Sequence, residues 1–511
     1  MSEEAVALGG RLSLEDVVEV AVNRRPVRLG SAGMTAMLRA REAVERRLGP
    51  EAPACYGINT GFGALAEVRI PDTDLGTLQL NLVRSHAAGV GPALEERYVR
   101  AMMLMRAHVL ALGYSGVRPL IATRLAEMLN AGVHPVIPSH GSVGACGDLA
   151  PLAHLALVLI GEGEATLDGT RISGAEAMRR AGIEPVELAA KEGLSLINGT
   201  QGMLAVGILG LSRAERLTHS ADITGAMTVE AMKGSVRPFD SAIVDARPHP
   251  GACAVAAHLR DLLEDSEIVR SHAHCREVQD AYSLRCMPQV HGATRDLLTY
   301  VRGVLEIEIN SATDNPLVLP DGRIQSGGNF HGQPVAAALD AGVIAIADLA
   351  SISERRVAQL VDASLSRGLP PFLTPNSGLN SGFMMAQVTA ASLVAEVKAL
   401  AHPNSVDTIP TSADREDHVS MGMHAARSLA RAVDVLAYVL AIEALVAAQG
   451  ISLRGLRAGV GVDGAYRRLR QDVPALGEDR VLAPDIELVR ELLIAGALAD
   501  AAAPVLGTQA P

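Results

Sequence analysis

The stretch MLAVGILGLSRAERLTHSADITGAMTVEAM, residues 203–232, sets the expected architecture of this chain of 511 residues. Its apolar side chains recur at the three- and four-residue spacing of an α-helix. A helix of this length is much longer than the usual helix of a globular protein, which has about 12 residues. The stretch therefore predicts a long helix that packs inside a bundle.

The same periodicity recurs along the rest of the chain. It predicts further helices at 31–47, 98–112, 118–131, 291–309, 334–361, 382–401, 419–448 and 484–503. Alternation typical of strands is confined to short pieces at 66–70 and 317–324. We therefore predict a mainly α fold, with a long central helical bundle over residues 201–511 and a smaller mixed N-terminal region over residues 1–200.

Composition and charge argue against several classes of protein. Hydrophobic residues make up 49% of the chain and aromatic residues only 2%, which suits close packing of many helices. The 45 basic and 57 acidic residues give a net charge of −12, which argues against binding to nucleic acid or to an anionic membrane surface. The cysteines are too few and scattered for a disulfide framework, and we find neither a secretory signal nor a membrane span. A cytoplasmic protein is expected.

Loops rich in glycine and asparagine interrupt the helical pattern. They are YGINTGFG (56–63), GSVGACGD (141–148), LINGTQG (196–202) and SGGNFHG (326–332). The second contains Ala145, Cys146 and Gly147, three small residues whose backbone can fold tightly on itself. Attack of the Gly147 nitrogen on the Ala145 carbonyl closes a five-membered ring with loss of water, and loss of hydrogen sulfide from Cys146 then leaves an electrophilic methylidene. The triplet alone is a weak signal, because most such triplets are ordinary turns.

The blocks around these loops resemble the histidine and aromatic amino-acid ammonia-lyases. The resemblance covers about residues 10–450, in collinear order. Besides the loops it includes LVRSHAAGVG (82–91), QDAYSLRCMPQVHG (279–292), TDNPL (313–317), GLPPFL (368–373) and EDHVSMG (416–422). It implies that Ala145, Cys146 and Gly147 form the methylidene-imidazolone (MIO) group of that family, with Cys146 in place of the usual serine. It also implies a homotetramer that acts on a small amino acid without a dissociable cofactor.

The resemblance assigns roles to individual residues. Tyr56 is expected to remove the β-proton of the substrate, which requires cationic or hydrogen-bond-donating neighbours that lower its pKa from about 10. Arg285 presents the planar fork that suits a substrate carboxylate, and it shares a face with the catalytic candidate Tyr282 if the segment is helical. The other implied residues are Asn198, which contacts the MIO or the amino-acid end of the substrate, Gln279, which orients the MIO, and Phe330, which lines the pocket.

Two residues favour histidine as the substrate. His86 stands where the family faces the substrate ring, and Glu416 stands where histidine-directed members carry the glutamate that recognises imidazole. A carboxylate pairs with imidazole but finds no partner on a phenyl ring, where its burial is costly. The resemblance therefore implies loss of ammonia from L-histidine to give urocanate. Arg415 replaces a usual glutamine, and it would weaken this assignment if it paired with Glu416.

Alternatives stay open at this point. One is a tyrosine or phenylalanine ammonia-lyase or aminomutase of the same family, another is an enzyme that uses Cys146 as a nucleophile, and a third is an inactive homologue whose loop does not cyclise. Further departures from the family pattern are Asp414, Gln333 and His291, the last at a usually apolar position. The run HAHC (272–275) is a weak zinc signal because no matching ligand pair follows it, so no metal is expected.

Overall fold

The computed structural model describes residues 5–49, 51–273 and 277–503. These residues are mainly helical, as the periodicity predicts. The helices of the first half are α1 (Leu14–Val22), α2 (Ser31–Glu45), α3 (Leu75–His86), α4 (Glu96–Ala111), α5 (Pro119–Asn130), α6 (Leu149–Leu159), α7 (Gly174–Ala181), α8 (Glu192–Ile197) and α9 (Gln201–Ala231). Those that follow are α10 (Ser241–Asp245), α11 (Pro250–Leu262), α12 (Glu267–Ser271), α13 (Tyr282–Arg285), α14 (Met287–Ile309), α15 (Gln333–Val361), α16 (Met384–Leu400), α17 (Gly422–Arg454), α18 (Val460–Asp472), α19 (Ala483–Ile494) and α20 (Ala497–Ala502).

Short strands pair into small sheets. They are β1 (Val6–Leu8), β2 (Val27–Leu29), β3 (Val90–Ala93), β4 (His134–Pro135), β5 (Pro138–His140), β6 (Glu164–Leu167), β7 (Thr170–Ser173), β8 (Leu317–Val318) and β9 (Ile324–Gln325). Strands β1 and β2 are parallel, whereas the pairs β3–β5, β4–β6, β6–β7 and β8–β9 are antiparallel. The segment predicted at 317–324 is thus a hairpin. The strand predicted at 66–70 is wrong: Arg69 makes only an isolated bridge to Thr60, because a 3₁₀ turn over residues 63–65 precedes it.

The chain divides into two compact units. The first unit comprises residues 1–209, 302–340 and 403–427, and the second comprises residues 210–301, 341–402 and 428–511. The first break lies near the predicted boundary at residue 200, but the second unit is not the continuous bundle 201–511. The reason is helix length: α9, α14, α15 and α17 each begin in one unit and end in the other, so the chain returns to the first unit twice.

Helix starts and ends follow local signals. Ser13 caps α1, because its hydroxyl accepts from the Asp16 amide while the Asp16 carboxylate accepts from the Ser13 amide. Helix α5 starts at Pro119, a residue type favoured in the first turn. The helix predicted at 484–503 is interrupted by Gly496, whose φ of 78° separates α19 from α20.

Helix α15 is long and apolar enough to cross a membrane by length and composition. Of its most apolar window, 67% is buried inside the structure. The core helix of a soluble protein meets the same criterion, because a helix that is apolar on all sides is buried by protein as well as by lipid. The apolar character of α15 is therefore accounted for by packing.

Small side chains allow close helix packing in the second unit. At Gly450 on α17, an added Cβ would lie 2.7 Å from the Cβ of Ala231 on α9. The side chains of α17 from Val433 to Ala448 are almost entirely buried. The abundance of small residues and the scarcity of aromatic ones thus have a structural counterpart in a tightly packed core.

An ion pair lies inside this core. The side chains of Arg356 on α15 and Glu443 on α17 have no exposed surface. The carboxylate also accepts hydrogen bonds from Thr224 and Thr228 on α9, both at 2.9 Å, and from Ser353 at 2.6 Å. A charged pair is tolerated in a core when further hydrogen bonds compensate for lost hydration.

His291 belongs to the same buried network, which explains a polar residue at a usually apolar position. Its Nδ1 lies 2.7 Å from the carboxylate of Asp222, and its Nε2 lies 3.2 Å from the guanidinium of Arg356. Because a guanidinium only donates, Nε2 is the acceptor and Nδ1 carries the proton. His291 is therefore a neutral, fully paired core residue.

We predict that Glu443→Ala lowers the free energy of unfolding by about 3–5 kcal/mol, because it leaves the Arg356 charge buried without a counter-ion. Denaturant titration of the purified protein measures this change. The control is Glu396→Ala, which breaks a largely exposed pair with Arg431 and should cost about 1 kcal/mol or less. Equal losses of unfolding free energy in the two variants would show that the buried pair contributes no more to the stability of the second unit than an exposed pair does.

Candidate active site

Loops and helix ends of the first unit enclose a cavity of about 780 Å³. The predicted residues that line it are Tyr56, His86, Ala145, Cys146, Asn198, Phe330 and Glu416. They are remote from one another in the sequence, so only the fold of the first unit brings them together. Polar groups from remote segments that converge on one cavity are the usual mark of an active site. We call this space the first-unit cavity.

The segment 143–147 is a tight turn in which Gly144 and Gly147 pair across an isolated β-bridge. Gly147 has a φ of +74°, and a Cβ at this position would lie 2.1 Å from the carbonyl oxygen of Gly199. Only glycine fits there. The amide of Gly199 donates to the Cys146 carbonyl at 3.1 Å, and the amide of Asp148 donates to the Gly199 carbonyl at 2.7 Å. The turn is therefore locked against the loop that precedes α9.

Asp148 fastens the end of this turn to α9. Its buried carboxylate accepts from the Ser142 hydroxyl and from the Met203 amide, both at 2.7 Å. Burial raises the pKa of Asp148 to about 6, although these hydrogen bonds oppose the shift. Sequence reasoning missed this role. Because Asp148 directly precedes α6, its side chain is expected to cap that helix. It makes no capping hydrogen bond to α6 and instead binds the first turn of α9.

The thiol of Cys146 donates a hydrogen bond to Oε1 of Glu416 at 3.0 Å. The other oxygen, Oε2, accepts from the hydroxyls of Thr411 at 2.6 Å and Ser412 at 2.7 Å. Burial alone would raise the pKa of Glu416, but these three hydrogen bonds lower it. Burial and the bond to Glu416 raise the pKa of the Cys146 thiol. An ionised carboxylate thus faces a protonated thiol.

The loop that carries Glu416 is strained. Ser412, Ala413 and Asp414 have φ angles of 49°, 54° and 62°, a region that residues with a Cβ rarely adopt. At the neck of the loop, the amides of Thr411 and Glu416 each donate to the carbonyl of the other, at 2.9 and 3.3 Å. The loop ends before α17, which begins only at Gly422. The loop wraps two hydroxyls around one carboxylate.

Arg415 does not compete for Glu416. Its side chain lines the first-unit cavity and the residue is exposed, and among the described residues no ion pair joins it to the neighbouring glutamate. The partners of the Glu416 carboxylate are the Cys146, Thr411 and Ser412 side chains. The neutralisation considered from the sequence therefore does not occur here.

His86 and Asn198 are both oriented by protein groups. The Nδ1 of His86 lies 2.9 Å from the Leu82 carbonyl oxygen, and since a carbonyl only accepts, Nδ1 carries a proton; in the neutral ring Nε2 is then an acceptor. The Nδ2 of Asn198 donates to the carboxylate of Asp314 at 3.2 Å. Asp314 is itself held at 2.8 Å by the buried ammonium of Lys191. Both side chains are thus positioned before any ligand binds.

Tyr56 does not find the electrostatic environment expected for a base. Burial raises its pKa, and the amide of Gly63, 3.5 Å from the hydroxyl, opposes this only weakly. The carboxylates of Glu416 and Asp314 raise it further, and among the described residues no cation is one of the main effects on it. Among the described residues the predicted lowering of the Tyr56 pKa is therefore not found, because burial and the two carboxylates outweigh the one weak hydrogen-bond donor.

The remaining predicted residues lie in the second unit. Gln279 and Arg285 line another cavity there, of about 550 Å³, and Tyr282 is 71% exposed. The guanidinium carbon of Arg285 lies 4.6 Å from the centre of the Tyr282 ring, which confirms that the two share a face of α13. The structure does not bring these three residues into the first-unit cavity.

Two histidines of the first-unit cavity were not predicted. The rings of His331 and His418 are stacked, with centres 5.8 Å apart and planes 6° apart. The Nε2 of His331 also lies 3.0 Å from the His418 carbonyl oxygen, to which it donates. Both lie within two residues of a predicted site residue, in SGGNFHG and EDHVSMG, so their place in these two motifs could have indicated them. In the HAHC run, His274 and Cys275 lie outside the described residues.

Known proteins resemble this chain over nearly its whole length. The sequence profile of the aromatic amino acid lyases matches residues 12–471. The chain is 56% identical to a histidine ammonia-lyase of Sorangium cellulosum, over 98% of this chain and 99% of that one. It is 58% identical to a histidine ammonia-lyase of Anaeromyxobacter dehalogenans, over 96% of this chain and 98% of that one.

Solved structures show the same fold. The histidine ammonia-lyase of Trypanosoma cruzi superposes with a TM-score of 0.91 at 41% identity, over 98% of this chain and 96% of that one. The tyrosine aminomutase of Streptomyces globisporus superposes with a TM-score of 0.92 at 40% identity, over 99% and 100%. The fold is therefore shared by enzymes with different substrates. This chain belongs to the aromatic amino acid lyase family.

Proposed function

We propose that this enzyme removes ammonia from L-histidine to give urocanate, a step of histidine degradation. The observation that carries the proposal is Glu416, which stands ionised at the first-unit cavity beside His86 and the Cys146 turn. A cavity that offers a carboxylate oxygen and the Nε2 acceptor of His86 suits the N–H groups of an imidazole. Identity of 52–58% to curated histidine ammonia-lyases over nearly the whole chain supports the same substrate.

The turn at Ala145, Cys146 and Gly147 fits the MIO group. Gly147 approaches Gly199 so closely that no side chain is tolerated, and the Gly199 amide holds the Cys146 carbonyl. The small residues leave room for the backbone to close on itself. The MIO supplies an electrophilic methylidene carbon that makes the substrate amine a better leaving group. No dissociable cofactor and no metal enter this proposal.

The other residues bind the substrate and move its proton. The oxygen of Tyr56 takes the β-proton, and Glu416 with His86 holds the imidazole. Phe330 closes the pocket wall, and Asn198, fixed by Asp314, meets the amino-acid end of the substrate. A tyrosine or phenylalanine substrate would leave the Glu416 charge without a partner, which disfavours an aromatic lyase or aminomutase activity.

We further propose that the enzyme is a homotetramer in which a neighbouring copy completes each site. Among the described residues, no cation is one of the main effects on the pKa of Tyr56, and the buried Nε of Arg285 has no partner. Tyr282 is exposed. Arg285 of the partner subunit would bind the substrate carboxylate and lower the Tyr56 pKa, while Tyr282 and Gln279 would support the catalytic groups. We place this assembly in the cytoplasm.

The substrate assignment predicts the outcome of a direct comparison. Purified enzyme is incubated separately with L-histidine, L-tyrosine and L-phenylalanine, and the ultraviolet absorbance of each unsaturated product is followed. Urocanate formation should dominate. Glu416→Gln should lower histidine turnover by about 10²–10⁴-fold, because a positioned charged partner is lost.

The matched control is Asp414→Asn in the same loop. Asparagine tolerates the left-handed backbone there, and Asp414 makes no hydrogen bond to Glu416, so turnover should change little. Preferential formation of cinnamate or coumarate would overturn the histidine assignment and leave the lyase class intact.

The shared site predicts complementation between inactive variants. Tyr56→Phe and Arg285→Ala should each abolish turnover alone, while co-expression of the two should restore part of it, because mixed oligomers contain sites with both native residues. The control pair is Tyr56→Phe with His86→Ala, which damages the same first-unit cavity in both copies and should restore nothing. A monomer in light scattering, or no recovery in the first pair, would contradict the shared site.

A further inference from the structure

One contact in the first-unit cavity has no part in the proposed reaction. The Cys146 thiol occupies Oε1 of Glu416, the oxygen that is free for an imidazole N–H once Thr411 and Ser412 have engaged Oε2. The thiol and an imidazole N–H would therefore meet at the same oxygen, in the space that the sulfur now fills. The contact between the Cys146 thiol and Oε1 can exist only before Cys146 loses its sulfur, which is before the MIO forms.

We propose that Glu416 has an earlier task, which rests on the proposed MIO function: it holds the Cys146 thiol protonated so that sulfur can leave, and it receives the substrate only afterwards. Departure of the sulfur then frees Oε1 in the same step that creates the electrophile. Glu416 is a positioning residue in this earlier task, because the bonds that break are those of Cys146.

The chemistry of the leaving group explains why the proton matters. In the elimination, Cys146 loses its α-proton, and that electron pair forms the Cα=Cβ double bond while the Cβ–Sγ bond breaks and sulfur keeps its electrons. A protonated sulfur leaves as HS⁻ and takes up one proton, so that the chain loses one hydrogen sulfide. A thiolate would have to leave as S²⁻, a far poorer leaving group. No oxidant or reductant is involved.

The surroundings of Cys146 act on the protonation of its thiol in two opposite directions. The residue lies three positions before Leu149, where α6 begins, and a helix N-terminus stabilises a thiolate. Burial and the ionised Glu416, 3.0 Å from the sulfur, act in the opposite direction and raise the pKa of the thiol. The hydroxyls of Thr411 and Ser412 keep the glutamate ionised, so the opposing charge persists at neutral pH.

Serine, the residue that the family usually carries here, needs no such help. An alcohol is not ionised at neutral or moderately alkaline pH, so a serine at position 146 stays protonated whether or not a carboxylate faces it. The proposal therefore predicts that maturation depends on Glu416 in the cysteine protein and not in a serine variant. This difference separates the inference from any general role of Glu416 in folding or catalysis.

The test compares the wild type, Glu416→Gln, Cys146→Ser and the double variant. Each is made by a short pulse of cell-free synthesis, and the chase is divided between about pH 7.5 and pH 9.5, below and above the ordinary thiol pKa of about 8.5. The mass of the denatured chain gives the mature fraction, which lacks one water and one hydrogen sulfide, or two waters for serine. A colorimetric assay measures the sulfide released. Neither readout requires turnover.

Glu416→Gln should mature more slowly than the wild type, and the slowing should grow at the higher pH to at most about tenfold. About a tenth of a thiol of ordinary pKa stays protonated one unit above that pKa, and burial still raises the pKa of Cys146 in the variant. The double variant should mature like Cys146→Ser, which also shows that the substitution does not prevent folding. Equal rates for Glu416→Gln and the wild type would overturn the inference. So would an equal slowing by Glu416→Gln in the cysteine and serine backgrounds. If no protein loses mass, the MIO function fails and the inference falls with it.

Discussion

The site depends on one steric constraint, the close approach of Gly147 to the carbonyl of Gly199. This contact fixes the turn at 143–147 against the loop before α9, and Asp148 then ties the turn to the first turn of that helix. Helix α9 in turn runs on into the core of the second unit. The turn that contains Ala145, Cys146 and Gly147 is therefore held by a long helix, and not by a free surface loop.

The helices were predictable because their signal is local. Periodicity located α9, α15 and α17 to within about six residues at each end. The apolar residues of each helix recur at helical spacing, and this pattern can be read from that segment alone. The buried pair Arg356–Glu443 was not predictable, because its partners come from helices remote in sequence and a charged residue normally indicates solvent exposure. The run of positive φ angles at 412–414 was not predictable either, since a sequence of serine, alanine and aspartate does not by itself indicate left-handed backbone.

The candidate site was only partly predictable, and the shortfall has an electrostatic cause. Family blocks identified the residues that line the first-unit cavity, but they gave no information on which charges act on them. Among the described residues, the main charges that act on Tyr56 are the carboxylates of Glu416 and Asp314, while Arg285 lies in the second unit. The sequence also suggested Arg415 as a partner of Glu416, whereas the loop satisfies that carboxylate with two hydroxyls and a thiol. Sites built from several elements depend on such contacts, which a linear pattern does not encode.

The central claim is that Cys146 is consumed to make the electrophile. Peptide mass spectrometry of the denatured wild type, treated with a thiol-alkylating reagent, tests it most directly. The account predicts that the peptide containing residues 145–147 lacks the mass of one water and one hydrogen sulfide and carries no alkyl group, while Cys55 and Cys253 are alkylated. A peptide of unmodified backbone mass with Cys146 fully alkylated would contradict the account.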